Sequence, residues 1–277
     1  MAKAPSEGMK MSVVDDLEKL ESWFSGISGT ITAFSGGIDS TLVLFLSKKV
    51  LGDRALGCIS ISPSLKRDDY AFAIDFCEEN NISLEVIETT EIDDPNYFAN
   101  PVNRCYFCKT NLYQHLEGIR KKYPDRLLLN GTNADDLGDY RPGLKAADEL
   151  NVRSPLAECG INKESVREIA RYLELPNWNK PASPCLSSRI PYGNSVTREK
   201  LRQIESAEKI LLDYGYEMVR VRHFGKRAII EVPEFQIKSL ENIMDQINPY
   251  FLQLGFESVT VDSEGFVSGK LNRTIKV

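Results

Sequence analysis

Apolar runs and amphipathic stretches alternate along the first two thirds of the chain. An amphipathic stretch at 13–24 precedes the apolar run 30–34, which predicts a buried strand, and apolar residues then recur at helical spacing over 40–50. The pattern continues with predicted strands at 56–61, 84–87, 126–129 and 151–155, and with predicted helices at 68–79, 105–123 and 163–173. Strands separated by helices predict an α/β fold, with a parallel sheet covered by helices on both faces.

The segment 175–194 interrupts this alternation, because it is rich in Pro, Ser, Asn and Gly. We place a domain boundary there, which predicts a first domain over 1–190 and a smaller second domain over 191–277. The second domain contains predicted helices at 197–214 and 234–252 and predicted strands at 218–223, 227–232 and 258–262. This mixture predicts a small α+β domain for substrate binding or oligomerisation.

Composition narrows the class of protein. The 277 residues are 42% hydrophobic and 27% charged, which is ordinary for a globular protein, and no stretch approaches the ~18 apolar residues of a membrane-spanning helix. With no export-like start, we expect a cytoplasmic protein that does not associate with membranes. The net charge of −6 does not favour broad nucleic-acid binding. Six cysteines are too few for a secreted disulfide scaffold and are better interpreted as thiols, metal ligands or core residues.

The loop after the first predicted strand carries the strongest local signal. It leads directly into a predicted helix and reads Ser35, Gly36, Gly37, Ile38, Asp39, Ser40. Adjacent glycines allow a ligand to approach the backbone, and a helix start offers free N–H groups for a phosphate. The loop lacks the lysine of the common P-loop and matches the SGGxDS signature of PP-loop pyrophosphatases, which cleave ATP between its α- and β-phosphates. The plain alternative is a glycine turn with Ser40 as a helix cap.

Two cysteines three residues apart, Cys105 and Cys108, share one face of a helix or turn. Two sulfurs cannot complete a tetrahedral metal site, so further ligands must come from elsewhere, and Cys185 is the candidate for the third. Three cysteines would hold a [4Fe–4S] cluster with one iron open, whereas zinc would need a fourth ligand or a water. A redox pair or partly buried thiols are the alternatives. We expect Cys58 and Cys77 to be core residues.

A polar run follows the predicted strand 126–129, at the sheet edge where the Ser35 loop and a turn at Ser62 also belong. It reads GTNADDLGDYRPG from Gly131 to Gly143. Asp39 and Asp135 are candidate ligands of Mg²⁺ bound to the ATP phosphates, and Gly131 and Thr132 are candidate nucleotide contacts. A solvated loop is the alternative.

In the second domain, Arg220 and Arg222 alternate along one predicted strand, so both side chains emerge on the same face. Paired arginines suit a phosphate or the carboxylates of a small anion, and Glu231 lies on the next strand. The alternative is a solvated sheet face with cross-strand ion pairs. His223 points to the opposite side, where it could serve packing.

Five runs in the same order together resemble the LarE family of PP-loop enzymes: SGGIDS, CYFC, GTNADDLGDYRPG, SPCLSSRIPYG and VRVRHFGKRAIIEV. This family consists of ATP-dependent sulfur transferases of nickel-pincer nucleotide biosynthesis. The resemblance implies that a carboxylate of pyridinium-3,5-biscarboxylic acid mononucleotide is adenylylated and its oxygen replaced by sulfur. It also implies a substrate pocket lined by Ser188, Arg189, Arg220, Arg222 and Glu231. Glu208 is implied as a further contributor to this site, with metal binding as one role.

The family has two forms that differ in the source of sulfur. In one, a single cysteine at the position of Cys185 attacks the acyl-adenylate, gives up its sulfur and ends as dehydroalanine. In the other, three cysteines bind a [4Fe–4S] cluster that carries an added sulfide. Because Cys105 and Cys108 accompany Cys185, the chain resembles the cluster form. The resemblance further implies an anionic nucleotide substrate, a sulfide or another sulfur donor, and a homo-oligomer.

Three other functions remain open at this point. A tRNA thiolase also combines a PP-loop with three cysteines, although the acidic charge and the single CxxC pair favour a small-molecule substrate. An amide-forming ligase would leave the cysteines without a purpose. A non-enzymatic nucleotide-binding module is the third alternative.

Overall fold

The structure, a computed structural model, describes residues 7–138, 141–181, 183–267 and 269–274. Asp139 and Tyr140 of the predicted polar run lie outside these ranges. So do the start of the predicted first domain and the end of the predicted second domain. The chain forms two compact units. The first unit comprises Met1–Ile61, Arg67–Thr89 and Cys105–Ser183, and the second comprises Ser62–Lys66, Thr90–Arg104 and Pro184–Val277. The predicted domain boundary at 190/191 stays a prediction.

The first unit is built on a parallel sheet of four strands, in the order β3, β2, β1, β4. The strands are β1 (Thr30–Ala33), β2 (Ala55–Ile61), β3 (Ser83–Glu88) and β4 (Leu127–Leu129). β1 is central, with Thr30 opposite Ala55 of β2 and Leu127 of β4. All four residues of β1 are buried, as expected for a strand covered on both faces.

Helices cover both faces of this sheet, which confirms the predicted fold class. In chain order they are α1 (Glu7–Ser25), α2 (Ile38–Leu51), α3 (Arg67–Glu79), α4 (Pro95–Phe98), α5 (Arg104–Arg120), α6 (Pro142–Glu149), α7 (Pro155–Glu158) and α8 (Lys163–Tyr172), of which α4 belongs to the second unit. On one face Tyr113 and Leu116 of α5 pack with Ile31 and Cys58. On the other face, Thr30 of β1 bonds to Ser47 of α2. Successive side chains of β1 therefore face two different layers of helices.

The strand predicted at 151–155 is wrong. The segment makes only an isolated parallel bridge between Arg153 and Leu129, and α7 begins at Pro155. Proline in the first turn of a helix fixes a helical φ and gives up an N–H that would be unpaired there anyway. Pro155 thus starts a helix where the apolar pattern suggested that the strand continued.

The second unit contains a three-stranded mixed sheet, which confirms the predicted α+β arrangement. Its strands are β5 (Arg220–Phe224), β6 (Arg227–Glu231) and β7 (Ser258–Val261); β5 and β6 are antiparallel, and β6 and β7 are parallel. Besides α4, it contains the helices α9 (Arg198–Asp213), α10 (Ile237–Glu241) and α11 (Met244–Gln253). Leu211, Val221, Ile230 and Phe251 belong to its buried core.

The single helix predicted at 234–252 is wrong, because the segment is a short 3₁₀ turn followed by α10 and α11. The break between α10 and α11 falls at Asn242 and Ile243, and asparagine is a weak helix former. Local propensity therefore does not sustain one continuous helix here. Among the helices of the described residues, none is both long and apolar enough to cross a membrane.

Candidate functional site

The predicted nucleotide loop joins β1 to the start of α2. The backbone N–H of Ser35 donates to Oγ of Ser40 at 3.2 Å, and the two hydroxyl oxygens are 3.1 Å apart. Gly37 immediately precedes α2, and its carbonyl accepts from the Ser40 hydroxyl at 3.1 Å and from the Thr41 N–H at 2.9 Å. The first N–H groups of α2 have no intrahelical acceptor, so this loop presents them to an anion.

Two of the glycines predicted to contact the nucleotide lie where the backbone comes too close to a neighbouring segment for a side chain to fit. Gly36 has a φ of +69°, and a Cβ there would lie 2.7 Å from the Asp69 carbonyl oxygen. Gly131 follows β4, and a Cβ there would lie 2.7 Å from the Ser40 backbone nitrogen. The predicted turn after β4 therefore packs against the nucleotide loop. Thr132 is next to it and donates its N–H to Oδ1 of Asn130 at 3.0 Å.

Asp39, in the first turn of α2, is surrounded by hydrogen-bond donors of the first unit. Its Oδ1 accepts from Nδ2 of Asn133 at 3.2 Å, and its Oδ2 forms an ion pair with Nζ of Lys163. Asp135 Oδ2 accepts the backbone N–H of Lys163 at 2.9 Å, at the start of α8. Asp135 is thus bound to the start of α8, while Asp39 is paired with the side-chain ammonium group of Lys163.

Asp136 adds a third carboxylate to this corner of the first unit. Burial raises the pKa of the Asp136 carboxyl, partly offset by the Asn133 N–H and by Arg141, and the negative charge of Asp39 adds to the rise. Mg²⁺ typically binds through one or two carboxylates together with phosphate oxygens and water. Asp39 offers a carboxylate of this kind in the first turn of α2, and the magnesium role of Asp39 and Asp135 stays a prediction.

Two further residues support the nucleotide loop from the segment after α8. The amide of Asn177 donates to the Gly36 carbonyl at 3.2 Å and to the Thr41 hydroxyl at 2.9 Å. Lys180 pairs with Asp69 at 2.6 Å and lies 3.4 Å from the same carbonyl. Sequence reasoning missed both, because the stretch 175–194 carries no periodic signal that would link it to a loop 141 residues away.

The cysteines fall into two physical classes. Cys58 and Cys77 are buried, and burial raises the pKa of each thiol to about 12, so both stay protonated. Cys105 and Cys185 are exposed, and Cys108 is partly exposed. The first turns of α5 hold Cys105 and Cys108 in the first unit, whereas Cys185 belongs to the second. Exposed thiols can reach an external group, so the three predicted ligands suit that role better than the two buried ones.

The segment around Cys185 is held by buried polar groups of the second unit. Cys185 precedes a 3₁₀ turn, Leu186–Arg189. The Tyr97 hydroxyl lies 2.5 Å from the Ser187 hydroxyl, and Arg104 donates to the Ser187 carbonyl at 2.7 Å. Asn100 donates to three carbonyls of the following chain, those of Ile190, Pro191 and Asn194. The turn after Cys185 therefore has a defined conformation.

Arg189 and Glu208 form a bidentate ion pair in the interior of the second unit. The distances are 2.7 Å from Nε to Oε1 and 3.1 Å from Nη2 to Oε2, and both side chains are almost fully buried. Lys66 approaches Oε2 of Glu208 at 2.9 Å. Burial alone would raise the pKa of Glu208, but Arg189 and Lys66 outweigh it and hold this pKa below its usual range. Glu208 is therefore buried and paired with two cations, and not exposed to solvent.

Glu208→Gln is expected to destabilise the protein by about 3–5 kcal/mol at neutral pH, because it leaves Arg189 buried without a charged partner. Since the pKa of Glu208 is lowered on folding, this stability is present above the ordinary value of 4.5 and is lost as pH falls through the folded value. Chemical denaturation at several pH values should therefore show the difference from wild type narrowing in acid.

The matched control for this change is the exposed ion pair between Lys209 and Asp213 on the same helix, α9. Asp213→Asn should change stability by less than about 0.5 kcal/mol, as is usual for exposed pairs. A Glu208→Gln effect as small as that of Asp213→Asn would contradict the structural role of the buried pair.

Arg222 is only partly satisfied within the second unit. Nη2 pairs with Glu231 at 2.7 Å and Nη1 donates to the Ser188 carbonyl at 2.8 Å. The Nε–H is buried and has no hydrogen-bond acceptor among the described residues. A buried N–H left in this way is costly, so the site favours a ligand that accepts from it.

Arg220, two residues earlier on β5, stacks on an aromatic ring. Its guanidinium carbon lies 4.3 Å from the ring centre of Phe266, and no carboxylate of the described residues pairs with it. Burial lowers the pKa of Arg220 to about 10, with further repulsion from Arg189 and Arg222. The structure therefore brings Arg189, Arg220 and Arg222 together as a buried cluster.

His223, on the opposite face of β5, takes part in packing. Its ring packs at a tilt against Phe256, and its Nε2 lies 2.8 Å from Oε1 of Gln203. Burial lowers the pKa of His223 to about 4, with a smaller effect from Lys200, so the ring is neutral at pH 7.

Comparison with known proteins identifies the family of the chain. The family described as NAD synthase matches residues 12–111. An uncharacterized protein of Synechocystis is 44% identical over 94% of this chain and 97% of its own length. The pyridinium-3,5-bisthiocarboxylic acid mononucleotide synthase of Lactiplantibacillus plantarum is 38% identical over 88% of each chain. The chain belongs to the LarE family of PP-loop enzymes.

An uncharacterized protein of Methanocaldococcus jannaschii is also similar, with 33% identity over 84% of this LarE-family chain and 89% of its own length. The matched region 12–111 includes the nucleotide loop, Cys105 and Cys108. Within the part of the chain that the structure describes, no three His, Cys, Asp or Glu side chains form a group that could hold a metal ion. The [4Fe–4S] cluster of this LarE-family member stays a prediction.

Proposed function

We propose that this enzyme replaces a carboxylate oxygen of pyridinium-3,5-biscarboxylic acid mononucleotide by sulfur, at the expense of ATP. The observation that carries this proposal is the buried arginine cluster of the second unit. Among Lys66, Arg189, Arg220, Arg222, Glu208 and Glu231, four cations face two carboxylates. Such an excess of buried positive charge calls for an anionic ligand, and a mononucleotide with two carboxylates supplies both phosphate and carboxylate groups.

In the first step a substrate carboxylate oxygen attacks the α-phosphorus of ATP. The bond from this phosphorus to the bridging oxygen breaks, pyrophosphate leaves, and an acyl-adenylate forms. The first N–H groups of α2 and the hydroxyls of Ser35 and Ser40 would bind the departing pyrophosphate. Asp39, with Asp135 nearby, would hold Mg²⁺, which would neutralise the charge of the phosphates.

In the second step a sulfur nucleophile attacks the acyl carbon and AMP leaves, taking the original carboxylate oxygen with it. Cys105, Cys108 and Cys185 would hold a [4Fe–4S] cluster that supplies a replaceable sulfide. The alternative is that the Cys185 thiolate attacks directly and later surrenders its sulfur. The exposure of all three thiols supports a role for them in either version.

The proposed function predicts pyrophosphate release from ATP only when the pyridinium dicarboxylate mononucleotide is present. Pyrophosphate is measured by a coupled assay and the thiocarboxylate by mass spectrometry with sulfide as donor. Arg220→Met should raise KM for the mononucleotide by about 10–100-fold, because a charge-assisted contact is worth about 1.5–3 kcal/mol.

The matched control is Arg227→Met, which removes an exposed arginine from the neighbouring strand β6 and should leave KM unchanged. Equal KM values for Arg220→Met and wild type would show that the arginine cluster does not bind the substrate. If the mononucleotide triggers no pyrophosphate release at all, it is not the substrate.

A further inference from the structure

The buried side chain of Asn177 is directed at the nucleotide loop. Asn177 is 4% exposed, and its amide reaches the Gly36 carbonyl at 3.2 Å and the Thr41 hydroxyl at 2.9 Å. We propose that Asn177 is a positioning residue for phosphate binding: it locks the peptide bond between Gly36 and Gly37 so that the Gly37 N–H points toward the pyrophosphate part of ATP. This inference rests on the proposed binding of pyrophosphate by the loop, and not on the identity of the carboxylate substrate.

The two ends of the peptide bond between Gly36 and Gly37 point in opposite directions. The described residues contain no cis peptide bond, and across a trans bond the carbonyl oxygen and the following N–H are antiparallel. The Gly36 carbonyl points to Asn177, so the Gly37 N–H points to the opposite side of the loop. Gly36 is buried, whereas Gly37 is partly exposed and Ser35 is exposed. A phosphate therefore reaches the loop from the side to which the Gly37 N–H points.

Two adjacent glycines leave this peptide bond free to turn over. A rotation of the peptide plane changes ψ of the first residue and φ of the second, and glycine adopts positive and negative φ about equally well. Gly36 has a φ of +69° and Gly37 a φ of −81°. In the reversed orientation the Gly36 carbonyl would face the phosphates and repel them. The glycines that let a phosphate come close thus also require a group that selects one orientation.

Only a hydrogen-bond donor can select the observed orientation. A backbone carbonyl only accepts, so the part of Asn177 that faces Gly36 is the NH₂ group and not the amide oxygen. The same NH₂ group donates to Thr41, whose hydroxyl in turn donates to the Gly37 carbonyl at 2.9 Å. Lys180 is a second donor to the Gly36 carbonyl, at the longer distance of 3.4 Å. The buried amide of Asn177 therefore holds both peptide groups of the glycine pair.

The chain around Asn177 is held in place independently of the loop. Arg167 of α8 donates to the carbonyls of Trp178 and Lys180, at 3.4 Å and 3.2 Å. The Leu175 side chain is buried, and the Leu175 carbonyl accepts the Trp178 N–H at 3.1 Å. The Asn177 amide is therefore attached to a fixed support, so it holds the loop rather than following its movement.

A purely structural tie between the segment 175–180 and the loop is the competing explanation. Loss of such a tie would lower stability and would weaken the binding of all ligands alike. Loss of a lock on the peptide bond weakens only those ligands that use the Gly37 N–H. Pyrophosphate and AMP distinguish the two explanations, because the loop would bind pyrophosphate, whereas AMP is the part of ATP that is transferred to the substrate.

The test measures the affinities of pyrophosphate and AMP by isothermal titration calorimetry, together with the thermal unfolding midpoint. Asn177→Asp keeps the shape of the side chain but replaces the donor by a carboxylate that only accepts. It should weaken pyrophosphate binding by about 10–100-fold, because the phosphates lose a charge-assisted hydrogen bond and face a carbonyl instead. AMP binding should stay unchanged.

Two further variants make the outcome specific. Asn80→Asp is the matched control, because the Asn80 amide also donates to a backbone carbonyl, that of Phe76 at 2.8 Å, but outside the loop. It should change neither affinity. Thr41→Val removes the other acceptor of the Asn177 amide without adding a charge, and it should weaken pyrophosphate binding by about 3–10-fold. This variant carries the test if Asn177→Asp does not fold.

Unchanged pyrophosphate binding in folded Asn177→Asp, or in Thr41→Val where Asn177→Asp does not fold, would overturn the lock. Equal losses of pyrophosphate and AMP affinity would overturn it as well. A crystal structure of Asn177→Asp should show the Gly36 carbonyl turned away from position 177, and a carbonyl that keeps its wild-type direction would contradict the proposal. A wild type that binds no pyrophosphate is a different result, because it would contradict the proposed role of the loop in ATP cleavage.

Discussion

Asp39→Ala is expected to lower substrate-dependent pyrophosphate release by at least about 100-fold, because it removes the carboxylate that would hold Mg²⁺ at the phosphates. The fold should survive, since the Asp39 to Lys163 pair is partly exposed and such pairs contribute at most about 1 kcal/mol. Pyrophosphate release and the thermal unfolding midpoint are measured on the same preparation.

Asp53→Ala provides the matched control, because Asp53 forms an exposed pair with Lys48 in the same unit. It should leave pyrophosphate release unchanged. Wild-type release by folded Asp39→Ala would show that Asp39 does not bind the metal, and then Asp135 or Asp136 would have to carry it. A large loss of stability would instead mean that Asp39 mainly serves the fold.

Cys185→Ala separates activation of the carboxylate from delivery of sulfur. We expect formation of the thiocarboxylate to fall by at least about 1,000-fold, as in enzymes that lose a reactive group acting as part of a unit. Pyrophosphate release should persist, because the nucleotide loop and Asp39 are untouched. Cys159→Ala is the control, since Cys159 is a half-buried thiol whose pKa is raised by burial. Equal sulfur transfer in Cys185→Ala and wild type would exclude Cys185 from both versions of the second step.

Metal analysis and mass spectrometry of wild type and the cysteine variants distinguish the two proposed sources of sulfur. In the cluster version, anaerobically purified wild type contains iron and sulfide, and Cys185→Ala, Cys105→Ala and Cys108→Ala each lose most of both. In the direct version, iron is absent and wild type converts Cys185 to dehydroalanine, which mass spectrometry detects as one event per chain. Repeated turnover without loss of the Cys185 sulfur would contradict the direct version.

The fold class could be predicted from the sequence, because the spacing of apolar residues reflects the geometry of strands and helices. A short apolar run, a glycine loop and a helical apolar face describe β1, the Ser35 to Ser40 loop and α2, and each of these patterns lies within a few consecutive residues. Arg220 and Arg222 were placed on one face for the same reason, because side chains alternate along a strand. Errors arose where Pro155 begins a helix and where the chain leaves helical geometry at Asn242, between α10 and α11.

The surroundings of these residues were decided by the tertiary structure. Lys163 reaches Asp39 across 124 residues, and Asn177 reaches Gly36 across 141 residues. Nothing in the helix pattern of α9 distinguishes Glu208 from a solvated glutamate until Arg189 and Lys66 are packed around it. Residue spacing encodes the direction of a side chain within one element, whereas burial and charge partners depend on which distant elements pack together. The sequence by itself thus determined the nucleotide loop and predicted which cysteines react, and only packing decided which charges lie beside Asp39 and Arg220.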